Sequence, residues 1–150
     1  MTQQLVLELA PAAEPTLENF APGPNARAVA AVRELVSAGE TPLSTLYLWG
    51  PPGSGRTHLL RAALKANPQQ LISLDDVHRL TPQEQIEAFD RFNLHRAAGG
   101  RWIAAGDRPP GQLAVRDDLR TRLGSGVVIE LTPLDDGDKL AALRAHAAER

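Results

Sequence analysis

Between residues 50 and 57 the sequence reads Gly-Pro-Pro-Gly-Ser-Gly-Arg-Thr, and these residue types suit one task, the cradling of phosphate. Gly53 and Gly55 carry no Cβ, so the backbone can turn its N–H groups inward toward an anion. A helix opening directly behind such a loop adds its first-turn amides and the positive end of its dipole. Thr57 brings a hydroxyl to where a phosphate-bound Mg²⁺ would sit. Gly50-x-x-x-x-Gly55-Arg56-Thr57 matches the P-loop pattern, with arginine in the usual lysine position. Gly50, Pro51, Pro52, Gly53, Ser54, Gly55, Arg56 and Thr57 are therefore candidate nucleotide-binding residues, with ADP or ATP and Mg²⁺ as the expected ligands. A plain Gly/Pro-rich turn would look similar, but an apolar strand before the loop and a helix after it favour the phosphate reading. Arg56 sets a limit. Lysine is a compact point charge, whereas a guanidinium is planar and bulkier, though it binds phosphate well. Binding is expected to survive this exchange better than catalysis. Gly55→Val is expected to push a side chain into the phosphate cradle.

Three further groups of residues could act beside such a loop. Asp75 and Asp76 close the apolar run Leu71-Ile-Ser-Leu74. An acid at a strand's carboxyl end can hold Mg²⁺ beside the loop threonine, so Thr57 and Asp75 form the candidate metal pair. Asp76 then stands where a carboxylate would orient an attacking water. Asp107 follows the apolar run Trp102-Ile-Ala-Ala105 directly, and ligands of open α/β sheets sit at that end of the strands. Its expected place is near a terminal phosphate. Arg120 and Arg122 lie in Leu119-Arg-Thr-Arg-Leu123, near the end of a predicted helix. They are equally readable as cations favoured by the helix dipole or as an arginine finger for a neighbour's nucleotide.

The elements that must hold these groups are legible from periodicity. Strands are predicted at Leu46–Trp49, Leu71–Leu74, Trp102–Ala105 and Val127–Leu131. A helix capped by Asn25, with Val29, Val32 and Val36 on one face, ends at Gly39. Another runs from Thr57 to Ala66. Thr81-Pro-Gln-Glu84 combines a capping box with proline at the first helical position, opening a helix with Ile86, Phe89 and Phe92 as its stripe. A short helix is predicted from Leu113 to Leu123. Asp135 or Asp136 caps a last helix carrying Leu140 and Leu143. Strands alternating with helices, each strand mostly apolar, imply a mostly parallel sheet of about four strands with helices on both faces. Three parts follow: a tail over 1–24 with four prolines between Ala10 and Pro24, a core over 25–134, and the start of a further helix over 135–150.

Composition excludes several classes. The 150 residues contain no cysteine, so disulfides, thiolate metal sites and cysteine nucleophiles are out. The net charge of −2 gives no general pull toward nucleic acid or anionic membrane, and no cluster of four basic residues occurs. No apolar run approaches the ~20 residues needed to span a bilayer. The start of the chain lacks the pattern of a signal peptide. A cytoplasmic protein is expected.

In this order, these motifs resemble the DnaA-related branch of AAA+ proteins, and within it the Hda regulators of replication initiation. Thr16-Leu-Glu-Asn-Phe20 with Gly23-x-Asn25 is similar to the segment flanking the nucleotide base. Tyr47-Leu-Trp49 followed by Gly53-Ser-Gly-Arg-Thr-His-Leu-Leu60 resembles the Hda variant of the P-loop, where arginine is usual. Asp75-Asp-Val-His78 is similar to a Walker B end, Gly106-Asp-Arg-Pro-Pro110 to a sensor I region, and Asp135-Asp-Gly-Asp-Lys-Leu140 to the entry of the lid subdomain. The resemblance adds Asn25 and His58 to the nucleotide-binding residues. It gives Asp76, Asp107 and Arg122 catalytic positions, Arg122 as the arginine finger. Gln4-Leu-Val-Leu-Glu-Leu9 resembles a sliding-clamp-binding tail, with Gln4, Leu5, Leu7 and Leu9 as its contacts.

The resemblance implies an adaptor that joins the DNA polymerase III sliding clamp and promotes hydrolysis of DnaA-bound ATP. Such an adaptor reaches DNA only through the clamp, has little or no ATPase of its own, no membrane partner, and scope for homo-oligomers. Two departures stand out. Thr57 to Leu71 leaves room for one helix and a turn, where the family places a further strand and helix; that strand lies at the sheet edge, so its loss exposes a new edge. The sequence also ends inside the first lid helix. A DnaA-like ATPase or initiator paralogue is the alternative, although no stretch reads as a helix-turn-helix domain. An inactive remnant is the third reading.

Overall fold

The protein's structure, a computed structural model, describes residues 15–18, 20 and 23–133. The expected clamp-binding residues Gln4, Leu5, Leu7 and Leu9 and the helix expected after Asp135 lie outside the described residues.

Among the described residues four α-helices alternate with four strands: α1 (Ala26–Leu35), β1 (Thr45–Trp49), α2 (Arg56–Ala66), β2 (Leu71–Leu74), α3 (Pro82–Ala97), β3 (Arg101–Gly106), α4 (Asp117–Leu123) and β4 (Val127–Glu130). The strands form one parallel sheet in the order β2-β3-β1-β4. Each strand's apolar residues divide by alternation, because successive side chains leave opposite faces. Leu46, Leu48, Ile103 and Ala105 enter one core with α1 and α2. Tyr47, Trp102 and Ala104 enter a second core with Phe92 of α3 and Leu119 of α4. Phe92 stacks on Trp102 with ring centroids 4.5 Å apart. Helices on both faces explain why these strands read as continuous apolar runs.

Local signals were legible where the chain satisfies itself nearby. At α3, Glu84 N–H donates to Thr81 Oγ1 (3.1 Å) and Thr81 N–H to Glu84 Oε1 (2.9 Å), with Pro82 at the first position. Between α2 and β2 there is only a turn, organised by Asn67, whose side chain reaches Val36 and Gln70. β2 is consequently an edge strand among the described residues.

Four expectations are corrected by distant partners. Asn25 precedes α1 but makes no capping bond; its amide donates to the Thr132 carbonyl (2.9 Å) and accepts from the Thr132 N–H (2.8 Å). α1 ends at Leu35 rather than Gly39, since buried Arg101 takes the carbonyls of Leu35, Ser37 and Gly39. Those acceptors are thus satisfied without another helical turn. The residues α3 buries fully are Gln85, Ala88 and Phe92, with Ile86 and Phe89 at the margin. Gln85 is tolerated there because its amide bonds both Leu80 and Arg116. α4 starts at Asp117 rather than Leu113. Arg120 binds the carbonyls of Leu113 and Val115, so that stretch satisfies its backbone without being helical.

Candidate functional site

The carboxyl ends of the strands bring the candidate residues together. The glycine-rich loop leaves β1, Asp75 follows β2 and Asp107 follows β3. The Gly50 amide donates to the Gly106 carbonyl (3.2 Å), fixing the loop to β3. Gly53 and Gly55 have φ of +86° and +98°, a region that L side chains rarely enter. A Cβ at Gly53 would meet nothing within 4 Å, so this position faces open space. A Cβ at Gly55 would lie 2.6 Å from the Phe20 ring, which corrects the expectation that Gly55→Val fills the phosphate cradle. Its first collision is with Phe20. Ser54 is fully buried and its Oγ has no partner.

Thr57 Oγ1 donates to Asp75 Oδ2 at 2.6 Å, and the Asp76 amide donates to Asp75 Oδ1 at 2.8 Å. The hydroxyl and carboxylate named as a metal pair are therefore adjacent, two oxygen ligands of the hard kind that Mg²⁺ takes. Asp76 adopts φ +51°, the one non-glycine residue with positive φ among those described. Its Oδ1 lies 3.4 Å from Arg56 Nη2. Arg56 Nη1 donates to the Gly50 carbonyl at 3.0 Å. The guanidinium in the lysine position is thus spent on its own loop and on Asp76.

Asp107 receives two bonds from Arg108 (3.0 and 3.2 Å) and stands 3.7 Å from His78 Nδ1. The bond from Arg108 holds its carboxyl below the usual range, and His78 adds to the effect. Tyr47 is a residue that sequence reasoning missed. Fully buried in β1, it donates its hydroxyl to the Arg108 carbonyl at 2.7 Å and so ties the Asp107 loop to the sheet. Burial first, and then Asp107, push its ionisation far above the ordinary phenol range. The available signal was a hydroxyl inside an apolar strand, which needs a partner.

The two resemblance-derived contacts, Asn25 and His58, serve the frame. Asn25 has its amide committed to Thr132, as above. His58 Nε2 donates to the Thr16 carbonyl at 2.9 Å, and the ring meets Phe20 edge-on at 5.1 Å. Together they hold the Thr16–Phe20 segment against the start of α2.

Arg122 is not with the others. It sits in the last turn of α4, just before β4 begins, at the amino ends of the parallel strands. The loop and the two aspartate sites occupy the carboxyl ends, a strand's length away, about 15 Å at 3.3 Å per residue. Arg120, by contrast, is absorbed by the carbonyls of Leu113 and Val115 and by Asp117. Of the two arginines, Arg122 is exposed and Arg120 half-buried, and Arg122 Nε donates to Asn93 Oδ1 at 2.7 Å.

No family model matches the chain. Among solved structures it is similar to the replication initiator DnaA bound to AMPPCP and single-stranded DNA. Identity there is 27% and the TM-score 0.77, over 91% of this chain and 55% of that one. AMPPCP-bound DnaA from Aquifex aeolicus gives 27% identity and a TM-score of 0.75 over the same shares. Domain III of Thermotoga maritima DnaA gives 24% and 0.76, over 90% of this chain and 74% of that domain. The protein has a DnaA-like AAA+ fold. It spans about half the length of the two AMPPCP-bound DnaA chains. A single turn over residues 67–70 joins α2 to β2. No helix among the described residues is long and apolar enough to cross a membrane.

Proposed function

We propose that this DnaA-like chain is a nucleotide-binding adaptor of replication initiation, which supplies Arg122 to the nucleotide of a partner and turns over little nucleotide itself. The observation that carries the reading is the separation of Arg122 from the chain's own loop. A guanidinium at the amino ends of the strands cannot serve a phosphate held at their carboxyl ends. It can serve one held by a molecule packed against that face.

The chain's own site would hold ADP or ATP through the loop amides around Gly53 and Gly55, the buried Ser54 hydroxyl and the open first turn of α2. Thr57 and Asp75 would hold Mg²⁺, which when bound neutralises phosphate charge. Catalysis there is weak for three reasons. Arg56 is engaged with Gly50 and Asp76, Asp76 is therefore committed, and Asp107 is paired with Arg108. Each displaced group costs transition-state stabilisation, typically ~10²-fold or more for a single donor. The partner, by resemblance, is DnaA carrying ATP. There, water attacks the γ-phosphorus, the bond to the bridging β–γ oxygen breaks, and ADP and phosphate leave. Arg122 would stabilise the charge that spreads over the phosphoryl oxygens.

The tail residues Gln4, Leu5, Leu7 and Leu9 are assigned to the sliding clamp on their alternation and on the resemblance. The deciding experiment measures phosphate release from ATP-DnaA with clamp-loaded DNA, with and without the chain. Stimulation that disappears in Arg122→Ala, while the chain alone stays far below 1 turnover per second, supports the adaptor. Rapid turnover by the chain alone favours a DnaA-like ATPase instead, and neither activity leaves a remnant.

A further inference from the structure

The β2 flank of the sheet is open among the described residues. There β2 is an edge strand, bonded to β3 alone. The Arg101 N–H donates to the Gln70 carbonyl at 2.8 Å, which sets the alternation along the strand. Gln70, Ile72 and Leu74 turn their backbone groups toward β3, and Ser73 turns its N–H and carbonyl outward. An edge of this kind is a template for another strand.

Beside the edge runs a groove of about 610 Å³ between β2 and α3. α3 packs over β3, so Ile72 on the groove floor and Leu74 on the same face of the sheet are only half-buried. Leu94 lines the α3 side of the groove and is 73% exposed, the one exposed large hydrophobic residue among those described. An apolar floor, an exposed leucine and outward backbone groups on one flank mark a surface that another chain covers.

Symmetry and charge select the occupant. The groove carries both signs, Glu87 and Asp90 beside Arg91, all exposed on α3. A two-fold axis through Ser73, normal to the sheet, sets β2 antiparallel to its own copy. Ser73 then faces Ser73 as a pair that exchanges both N–H···O bonds, and Ile72 faces Leu74 on the α3 side. The two α3 helices run side by side in opposite directions, and Leu94 of each enters the joined groove. That reversal brings Arg91 of one copy toward the acids of the other. One surface serves both partners, as in any two-fold contact.

We propose that β2 and the outer flank of α3 form a self-association surface, through which two copies of this chain join edge to edge into one continuous sheet. The contact is small. The 16 residues of α3 give a strip about 24 Å long and one helix wide, short of the ~800 Å² per partner of a standard interface. Association is therefore weak, with a dissociation constant above ~1 µM. In the strand order β2 lies at the end opposite β4, away from Arg122, so the proposal stands independently of the function proposed above.

Sedimentation equilibrium of the full chain should show a reversible dimer forming between about 1 and 500 µM. Leu94→Glu should stay monomeric over that range with its melting temperature held, because the side chain is exposed in the single chain. Arg91→Glu should weaken association at least ~tenfold, and mixing it with the double variant Glu87→Arg, Asp90→Arg should restore dimers. The chain has no cysteine, so Leu94→Cys carries a single thiol. Mild oxidation should link it into a disulfide dimer, whereas Arg61→Cys, exposed on α2, should give no more than background. A dimer that survives Leu94→Glu would assign association to another face and overturn the proposal. So would a wild type still monomeric at the top concentration. If the Ser73 amide of that monomer exchanged slowly with solvent, another segment of the chain would be the occupant of the edge.

Discussion

The two ends of the sheet handle charge in opposite ways. At the carboxyl ends, charged and metal-ligating groups are turned on one another: Arg56 on Gly50 and Asp76, Thr57 on Asp75, Asp107 on Arg108. At the amino ends, Arg122 is braced by Asn93 and Phe89 and keeps its outer nitrogens available. A ligand at the first end must displace internal contacts before it gains new ones. A ligand at the second end meets a cation already oriented. In the proposed adaptor, this contrast places the cation offered to a partner's phosphate away from the loop that would hold the chain's own nucleotide.

The largest effect that would break this contrast comes from Arg122→Ala. Stimulated hydrolysis by the partner should fall ~10³-fold, the lower range for an arginine finger. Nucleotide affinity of the chain's own loop, measured by isothermal titration, should be unchanged. A matching loss of that affinity would mean the two ends are not independent.

Replacing Gln4 and Leu5 with alanine should come next. Clamp capture in a pull-down should drop by more than tenfold, with melting temperature and nucleotide affinity held. Retained capture would remove the clamp from the proposal.

Gly53→Ala sharpens the loop side. A Cβ there meets nothing within 4 Å, so packing is spared, yet φ of +86° is strained for alanine and the methyl enters open space beside the loop. Nucleotide affinity should fall about tenfold, near 1.4 kcal/mol. Gly55→Ala should instead lower the melting temperature through its contact with Phe20. Equal behaviour of the two variants would show that the cradle has been misassigned.

Tyr47→Phe removes the hydroxyl that holds the Arg108 carbonyl. The stability cost in urea unfolding should be about 1 kcal/mol, the net worth of one part-buried hydrogen bond. Any effect on the Arg122-dependent assay should be absent.

The smallest effect is the pH response of Asp107. Its carboxyl titrates lower in the folded chain than in the unfolded one, because Arg108 bonds the charged form. That contribution is therefore present above the unfolded value of about 3.9 and is lost as pH falls through the folded value. Asp107→Asn should narrow its stability gap to the wild type below about pH 4 and leave a constant gap near neutrality.

The legible parts of this molecule are those decided within a few residues. Glycines at 53 and 55, the Thr81–Glu84 capping box and the apolar runs of the four strands each state their own conformation through φ, a local bond or a period. Alternation along Leu46-Tyr-Leu and Trp102-Ile-Ala-Ala105 also implied two covered faces, and hence a parallel sheet. The position of Asp75 and Asp107 just past the carboxyl ends of β2 and β3 followed from the same reading. Strand order, the contacts of Arg56 and the bonding partners of Tyr47, Asn25 and Asn93 did not. Each depends on a partner 6 to 107 residues away along the chain. A hydrogen bond acts over about 3 Å of space and is indifferent to sequence separation, so only the packed fold decides which donor finds which acceptor.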